Sequence, residues 1–238
     1  MVRDLKTQPG SSTVTGTGSS AVSAFLDAVN AMPAVAAGAR GKLVIALDAT
    51  MSRQPTWDLA CALQADMFRT AASIGGLAIQ LVYFRGLAEC RASQYVADPQ
   101  QLSAMMGKIR CEGGQTQIGR VLDHLRDAAT RDGVRAFVYV GDAMEESADK
   151  LLARAGEIGL LGLRGFIFQE GHDPEAERVF RDIARLTGGA YARFDHAAPG
   201  ALAELLRAAA AYAAGGRDAL LKVAQSGGAG HALLKQLR

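Results

Sequence analysis

The sequence has few cysteines, no long apolar run and no excess of charge of either sign. Its three cysteines, Cys61, Cys90 and Cys111, are widely spaced and form no C-x-x-C pair, so no disulfide framework is indicated and we interpret them as reduced thiols. No stretch of about 18 apolar residues is present, which argues against a membrane-spanning helix. The 26 basic and 24 acidic residues give a net charge of +2, which does not indicate binding to nucleic acid or to a membrane surface.

The amino-terminal region also lacks the apolar segment of a secretory signal, so we expect a cytoplasmic protein. Residues 1–20 are rich in serine, threonine and glycine, which predicts a flexible arm. Residues 21–40 predict a short helical lead-in. Residues 41–214 have the pattern of one folded domain. Residues 215–238 form a tail with two apolar patches, the first at Leu220, Leu221 and Val223 and the second at Leu233, Leu234 and Leu237. The tail either docks on the domain or binds a partner.

From residue 42 onward, strand-like and helix-like segments alternate. Continuous apolar runs such as KLVIALD (42–48) and VRAFVYVGD (134–142) are typical of strands that are covered on both faces. Segments with apolar residues at every third or fourth position separate them, and the polar segment 86–96 predicts a short edge strand. The alternation predicts an α/β fold with a doubly wound, mostly parallel six-stranded sheet and helices on both faces.

Oxygen-bearing side chains follow the first strand at every second position, as Asp48, Thr50 and Ser52. Taken alone, these residues fit a loop that caps the helix near Pro55, because Asp, Thr and Ser all cap helices. In a doubly wound sheet, however, ligands bind outside the carboxyl ends of strands where the strand order reverses. The first strand takes that place if later strands pack on both of its sides.

Two later loops supply similar side chains. Thr116 lies in GGQTQIG just before a helix, and Asp142 ends the buried strand VYVGD. Because a parallel sheet brings these loops to the same rim, five side chains converge: Asp48, Thr50, Ser52, Thr116 and Asp142. Such hard oxygen ligands suit Mg²⁺ or Mn²⁺. A divalent cation also removes the repulsion between two buried aspartates.

At this point the sequence resembles the von Willebrand factor A domain family, whose metal-ion-dependent adhesion site (MIDAS) reads D-x-S-x-S, then Thr, then Asp. The resemblance implies that the hydroxyls of Thr50 and Ser52 bind the metal directly. It implies that Thr116 binds directly or through water, and that Asp48 and Asp142 act mainly through bridging waters. It also implies an antiparallel edge strand.

The sequence departs from the family pattern at two positions. Thr50 replaces the commoner Ser and keeps the hydroxyl, and Ala143 follows Asp142 where Gly is frequent. Arg53 and Gln54 flank the motif, and we expect them to be able to contact an acidic group of a partner. Glu145 and Glu146 either ring the site or form a solvated helix start, so both interpretations stay open.

The resemblance implies a non-catalytic, divalent-metal-dependent module that captures an Asp or Glu of a partner protein. By family analogy we expect an intracellular multiprotein assembly, beside an ATPase or a chaperone-like complex, with no nucleic-acid or membrane partner. Two alternatives remain: a metal-dependent hydrolase or phosphatase that uses Asp48, or a scaffold that needs no metal. A haloacid dehalogenase-type phosphatase would require a second acid where Thr50 stands.

Overall fold

The computed structural model describes residues 41–72, 74–195 and 199–226. The predicted arm (1–20), the lead-in (21–40) and the second apolar patch of the tail lie outside the described residues. The strands are β1 (Gly41–Asp48), β2 (Leu77–Arg85), β3 (Glu89–Ala92), β4 (Ala136–Gly141), β5 (Arg164–Glu170) and β6 (Ala190–Phe194). The helices are α1 (Gln54–Ala72), α2 (Pro99–Met106), α3 (Ile118–Asp132), α4 (Ala148–Leu160), α5 (Pro174–Leu186) and α6 (Pro199–Ser226).

The six strands form one sheet in the order β3-β2-β1-β4-β5-β6. All neighbours are parallel except β3, which pairs antiparallel with β2 at one edge. Strand β1 therefore has β2 on one side and β4 on the other, which makes it the point where the strand order reverses. The predicted α/β class, the six strands and the antiparallel edge strand are confirmed.

Alternate residues of β1 enter the two halves of the core. Leu43 and Ile45 belong to a cluster with apolar side chains of α1, α2 and α6. Val44 and Ala46 belong to a second cluster with side chains of α3, α4 and α5. A strand that is buried on both faces must be apolar at every position, and this explains the unbroken run in KLVIALD.

Two helices begin at an Asp-Pro pair. The carboxylate of Asp98 accepts a hydrogen bond from the Gln100 backbone N–H at the start of α2, and Asp173 accepts one from Ala176 at the start of α5. Proline fits the first helical position because it has no N–H to satisfy there. The edge strand is shorter than predicted, since only Glu89–Ala92 pairs as a strand.

The last helix extends beyond residue 214, where the sequence predicts the end of the domain. Helix α6 continues to Ser226 across a kink at Gly215 and Gly216. Gly216 has φ of 68°, in the left-handed region that glycine adopts at little cost. Beyond the kink, Leu220 is wholly buried and belongs to the same apolar cluster as α1. The first apolar patch of the predicted tail thus packs on the domain.

None of the helices in the described residues is both long enough and apolar enough to cross a membrane.

Candidate metal centre

Four of the five predicted side chains meet where β1 and its neighbour β4 end. Asp48 is the last residue of β1, and Asp142 follows the last residue of β4. The Ser52 hydroxyl donates a hydrogen bond of 3.1 Å to Oδ2 of Asp142. The Thr50 and Ser52 hydroxyl oxygens lie 3.4 Å apart. The topology therefore brings the two halves of the motif, 90 residues apart in sequence, into direct contact.

Thr116 is held beside this group by the loop that follows Asp142. Its backbone N–H donates to Oε2 of Glu145 at 3.0 Å, and its hydroxyl accepts from the Glu145 backbone N–H at 3.0 Å. Thr116 itself is buried. The loop between α2 and α3 and the loop after β4 are thus joined by hydrogen bonds at the residue that the sequence predicts as a ligand.

Asp48 uses only one of its two carboxylate oxygens. Oδ1 accepts a hydrogen bond of 2.8 Å from the Thr50 backbone N–H, whereas Oδ2 is buried and has no hydrogen-bond partner within the described part of the chain. Burial raises the pKa of Asp48 to about 6, and the negative charge of Asp142 adds to the rise while the hydrogen bonds from Thr50 oppose it. A buried carboxylate oxygen without a partner is a high-energy arrangement that a cation would relieve.

The helix-capping interpretation of the motif does not hold. Thr50 precedes a 3₁₀ turn (Met51–Arg53) that leads into α1, but its side chain makes no capping hydrogen bond. Ser52 donates instead to Asp142. The two hydroxyls are therefore not used to satisfy helix backbone groups, and each keeps oxygen lone pairs for another ligand.

The donor set fits a hard divalent cation. The described residues contain no cluster of three or more His, Cys, Asp or Glu side chains arranged to hold a metal. Ligation here would therefore depend on the hydroxyls of Thr50, Ser52 and Thr116 together with the carboxylates of Asp48 and Asp142. Mg²⁺ and Mn²⁺ prefer oxygen ligands of this kind.

Arg53 does not take the role that we expected. Instead of facing a partner, it is buried with 2% of its surface exposed and forms an ion pair with Glu170. Its Nη1 also lies 3.8 Å from Oδ2 of Asp142. Glu170, the last residue of β5, also accepts a hydrogen bond from the Thr56 hydroxyl. Glu170 was not predicted from the sequence, although an acid that ends a buried strand is the same signal that identified Asp48.

Of the two expectations for the glutamates after Asp142, the structure excludes the solvated helix start. Helix α4 begins at Ala148, so neither glutamate lies in its first turn. Glu145 holds Thr116, and Glu146 accepts hydrogen bonds from the backbone N–H groups of Ile118 and Gly119. Glu146 therefore caps the start of α3, a helix that precedes it in sequence.

Comparisons with known proteins give matches only at the level of structure. No protein-family model and no curated protein matches the sequence. A von Willebrand factor type A protein from Catenulispora acidiphila is similar in structure, with a TM-score of 0.57 and 20% identity over 73% of this chain and 43% of that chain. The SpRpn10 VWA domain has a TM-score of 0.53 and 13% identity over 70% of this chain and 94% of that chain.

A third similar structure is proximal thread matrix protein 1 from the mussel byssus with a zinc occupied MIDAS motif, with a TM-score of 0.55 and 13% identity over 72% of this chain and 46% of that chain. This chain therefore spans less than half of the Catenulispora and mussel chains and nearly all of the SpRpn10 domain. The described chain has the fold of von Willebrand factor A domains, so the resemblance is confirmed for the fold.

Proposed function

We propose that the chain is a non-catalytic, divalent-metal-dependent module that binds an acidic side chain of a partner protein. The observation that carries this proposal is the buried Oδ2 of Asp48, which has no hydrogen-bond partner in the described part of the chain, whereas Oδ1 accepts from the Thr50 backbone N–H. The zinc occupied MIDAS motif of the mussel protein, which has a similar fold, supports a metal at this rim.

The five side chains would each contribute to binding the metal. The hydroxyl of Ser52 donates to Asp142 in this structure, and rotation of that hydroxyl would turn its lone pairs to a cation. Thr116 is positioned by Glu145. When bound, the metal would supply a positive charge with a coordination position open to a partner carboxylate. We also propose Mg²⁺ or Mn²⁺ as the metal and an intracellular multiprotein assembly as the setting.

A hydrolase is the weaker alternative, because a haloacid dehalogenase-type phosphatase needs a second acid two residues after its aspartate nucleophile. Thr50 occupies the position two residues after the candidate nucleophile, and its hydroxyl lies beside Ser52. A phosphatase would turn over a simple phosphoester in Mg²⁺, and substitution of Asp48 by Asn would abolish that turnover. Absence of turnover in the intact chain, together with metal binding, supports the binding module.

The metal is tested by thermal unfolding of the full chain. A ligand at 100 times its dissociation constant stabilises a protein by about 2.7 kcal/mol, which raises the Tm of a domain of this size by roughly 5–10 °C. We expect Mn²⁺ or Mg²⁺ to give such a rise, and Asp48→Ala and Ser52→Ala to lose it. Asp149→Ala, an exposed aspartate on α4, is the matched control and should keep it. Identical melting curves with metal and with chelator would contradict the proposal.

Partner capture is tested separately. The chain is immobilised in Mg²⁺, and proteins that bind are eluted with a chelator and identified by mass spectrometry. We expect partner proteins to bind the intact chain and Asp149→Ala. The same proteins should not bind Ser52→Ala or a column treated with chelator. In each such partner, replacing one surface Asp or Glu by its amide should abolish binding. Partners that bind equally well in chelator would favour the scaffold that needs no metal.

A further inference from the structure

Arg53 is a permanently charged group buried against the proposed metal site. It ends the 3₁₀ turn that carries Ser52, and its Nη1 contacts Glu170 and lies 3.8 Å from Oδ2 of Asp142. The side chain is 3% exposed. Its Nε and Nη2 groups have no hydrogen-bond partner within the described part of the chain. A guanidinium cannot lose its proton in a protein, so this charge is fixed.

Carboxylates outnumber the positive charge of Arg53 at this rim. Three carboxylates, those of Asp48, Asp142 and Glu170, end or follow three adjacent parallel strands, β1, β4 and β5. Arg53 lies between the latter two and supplies one positive charge. A buried charge persists only where it is paired, so Arg53 must contribute to holding these strand ends together in the metal-free chain.

We propose that Arg53 is a positioning residue that sets the metal affinity of the site, because its guanidinium shares its charge between Glu170 and the metal ligand Asp142. This inference rests on the proposed function. The guanidinium stabilises Asp142 before a metal arrives, and it repels a divalent cation that binds beside it. Glu170 acts in the opposite direction, since it draws the guanidinium away from Asp142 and partly cancels its charge.

The two members of the pair therefore have opposite effects on metal binding. Substitution of Arg53 by Met removes the charge that repels a cation, while the carboxylates of Asp142 and Glu170 still attract one. Substitution of Glu170 by Gln leaves the guanidinium with Asp142 as its remaining carboxylate. The metal must then compete with the full positive charge of Arg53 for Asp142. If the ion pair only stabilised the fold, both substitutions would weaken metal binding.

The experiment measures the Mn²⁺ dissociation constant by calorimetry on the full chain, together with the Tm in chelator. We expect Arg53→Met to bind Mn²⁺ at least about tenfold more tightly and to have a lower metal-free Tm. We expect Glu170→Gln to bind at least about tenfold more weakly. Arg53→Lys keeps the charge and should stay within about threefold of the intact chain. Arg69→Met removes an exposed charge from α1 and should change neither quantity.

Each outcome decides the proposal. If Arg53→Met folds, as judged by circular dichroism, and binds Mn²⁺ no more tightly than the intact chain, the proposal is overturned. If Arg53→Met does not fold, Glu170→Gln decides, and unchanged or tighter binding in that variant overturns the proposal. If Arg53→Met binds Mn²⁺ and the intact chain does not, the result supports the role of Arg53 and refutes the proposed function of the natural chain. Absence of binding in every variant refutes both.

Discussion

At the scale of single residues, unsatisfied polar atoms gather at one end of the sheet. Five residues of the described chain have buried side-chain atoms without a hydrogen-bond partner, and Asp48, Arg53 and Tyr139 belong to this end. The Tyr139 hydroxyl lies so close to Gly141 that a Cβ there would be 2.6 Å from it. Buried polar groups are normally satisfied, so this concentration of exceptions supports the metal site that we propose at the carboxyl rim of β1 and β4.

Ionisation of Asp48 should destabilise the metal-free chain. Its pKa of about 6 in the folded chain lies above the usual 3.8, so its contribution to stability is complete below pH 3.8 and is lost as the pH rises through 6. Asp48→Asn avoids this loss and keeps an oxygen for the Thr50 N–H. In chelator, we expect Asp48→Asn to be more stable than the intact chain by up to about 3 kcal/mol at pH 8.

Urea unfolding between pH 4 and pH 8 measures this difference. The advantage of Asp48→Asn should shrink toward zero near pH 4, where both side chains are neutral. Asp149→Asn, which removes a charge from the exposed first turn of α4, should show no such growth with pH. A constant difference between Asp48→Asn and the intact chain at all pH values would show that burial does not govern this carboxylate.

The five candidate ligands were predicted from recognisable local signals in the sequence, and their role in binding a metal stays a prediction. Asp48 and Asp142 close apolar strands, and Thr116 lies in a glycine-flanked loop before a helix. The position of Arg53 could not be found in this way. Next to the motif it reads as an exposed basic residue, and only its contact with Glu170, which is distant in sequence, shows that it is buried.

At the scale of elements, the loop after β4 organises the helix that precedes that strand. Glu146 accepts hydrogen bonds from Ile118 and Gly119, two of the backbone N–H groups that the first turn of α3 leaves unpaired. Its negative charge also lies at the positive end of the α3 dipole. Because Thr116 directly precedes this turn, the same loop fixes both the helix and the candidate ligand.

Removal of the Glu146 side chain should therefore destabilise the start of α3. We expect Glu146→Ala to lower the free energy of unfolding by about 1–2 kcal/mol, with faster amide hydrogen exchange at Ile118 and Gly119. Glu146→Gln keeps an acceptor oxygen and should lose less. The exposed Asp149, also in the first turn of a helix, is the control, since its replacement by Ala removes only a dipole interaction. Unchanged exchange at Ile118 in Glu146→Ala would contradict the capping role.

At the scale of the whole molecule, the alternation of strands and helices predicted the α/β class but not the complete path of the chain. Hydrophobic pattern shows which segments are buried, and a parallel sheet with helices on both faces follows from it. The residue at which α6 ends could not be predicted from the hydrophobic pattern. Gly215 and Gly216 resemble a helix terminus in sequence, because glycine commonly ends helices. In the structure they form a kink, and Gly215 lies so close to Ile74 that a side chain would not fit.

The segment beyond that kink should behave as part of the folded domain. Leu220 is wholly buried in the cluster that contains α1, so we expect Leu220→Ala to lower the free energy of unfolding by about 2–5 kcal/mol. Leu160→Ala is the same chemical change at a residue that is 92% exposed on α4, and it should alter stability by no more than about 0.5 kcal/mol. A chain shortened after residue 214 should lose at least as much stability as Leu220→Ala. Equal unfolding free energies for the two leucine variants would instead place the domain boundary at the kink.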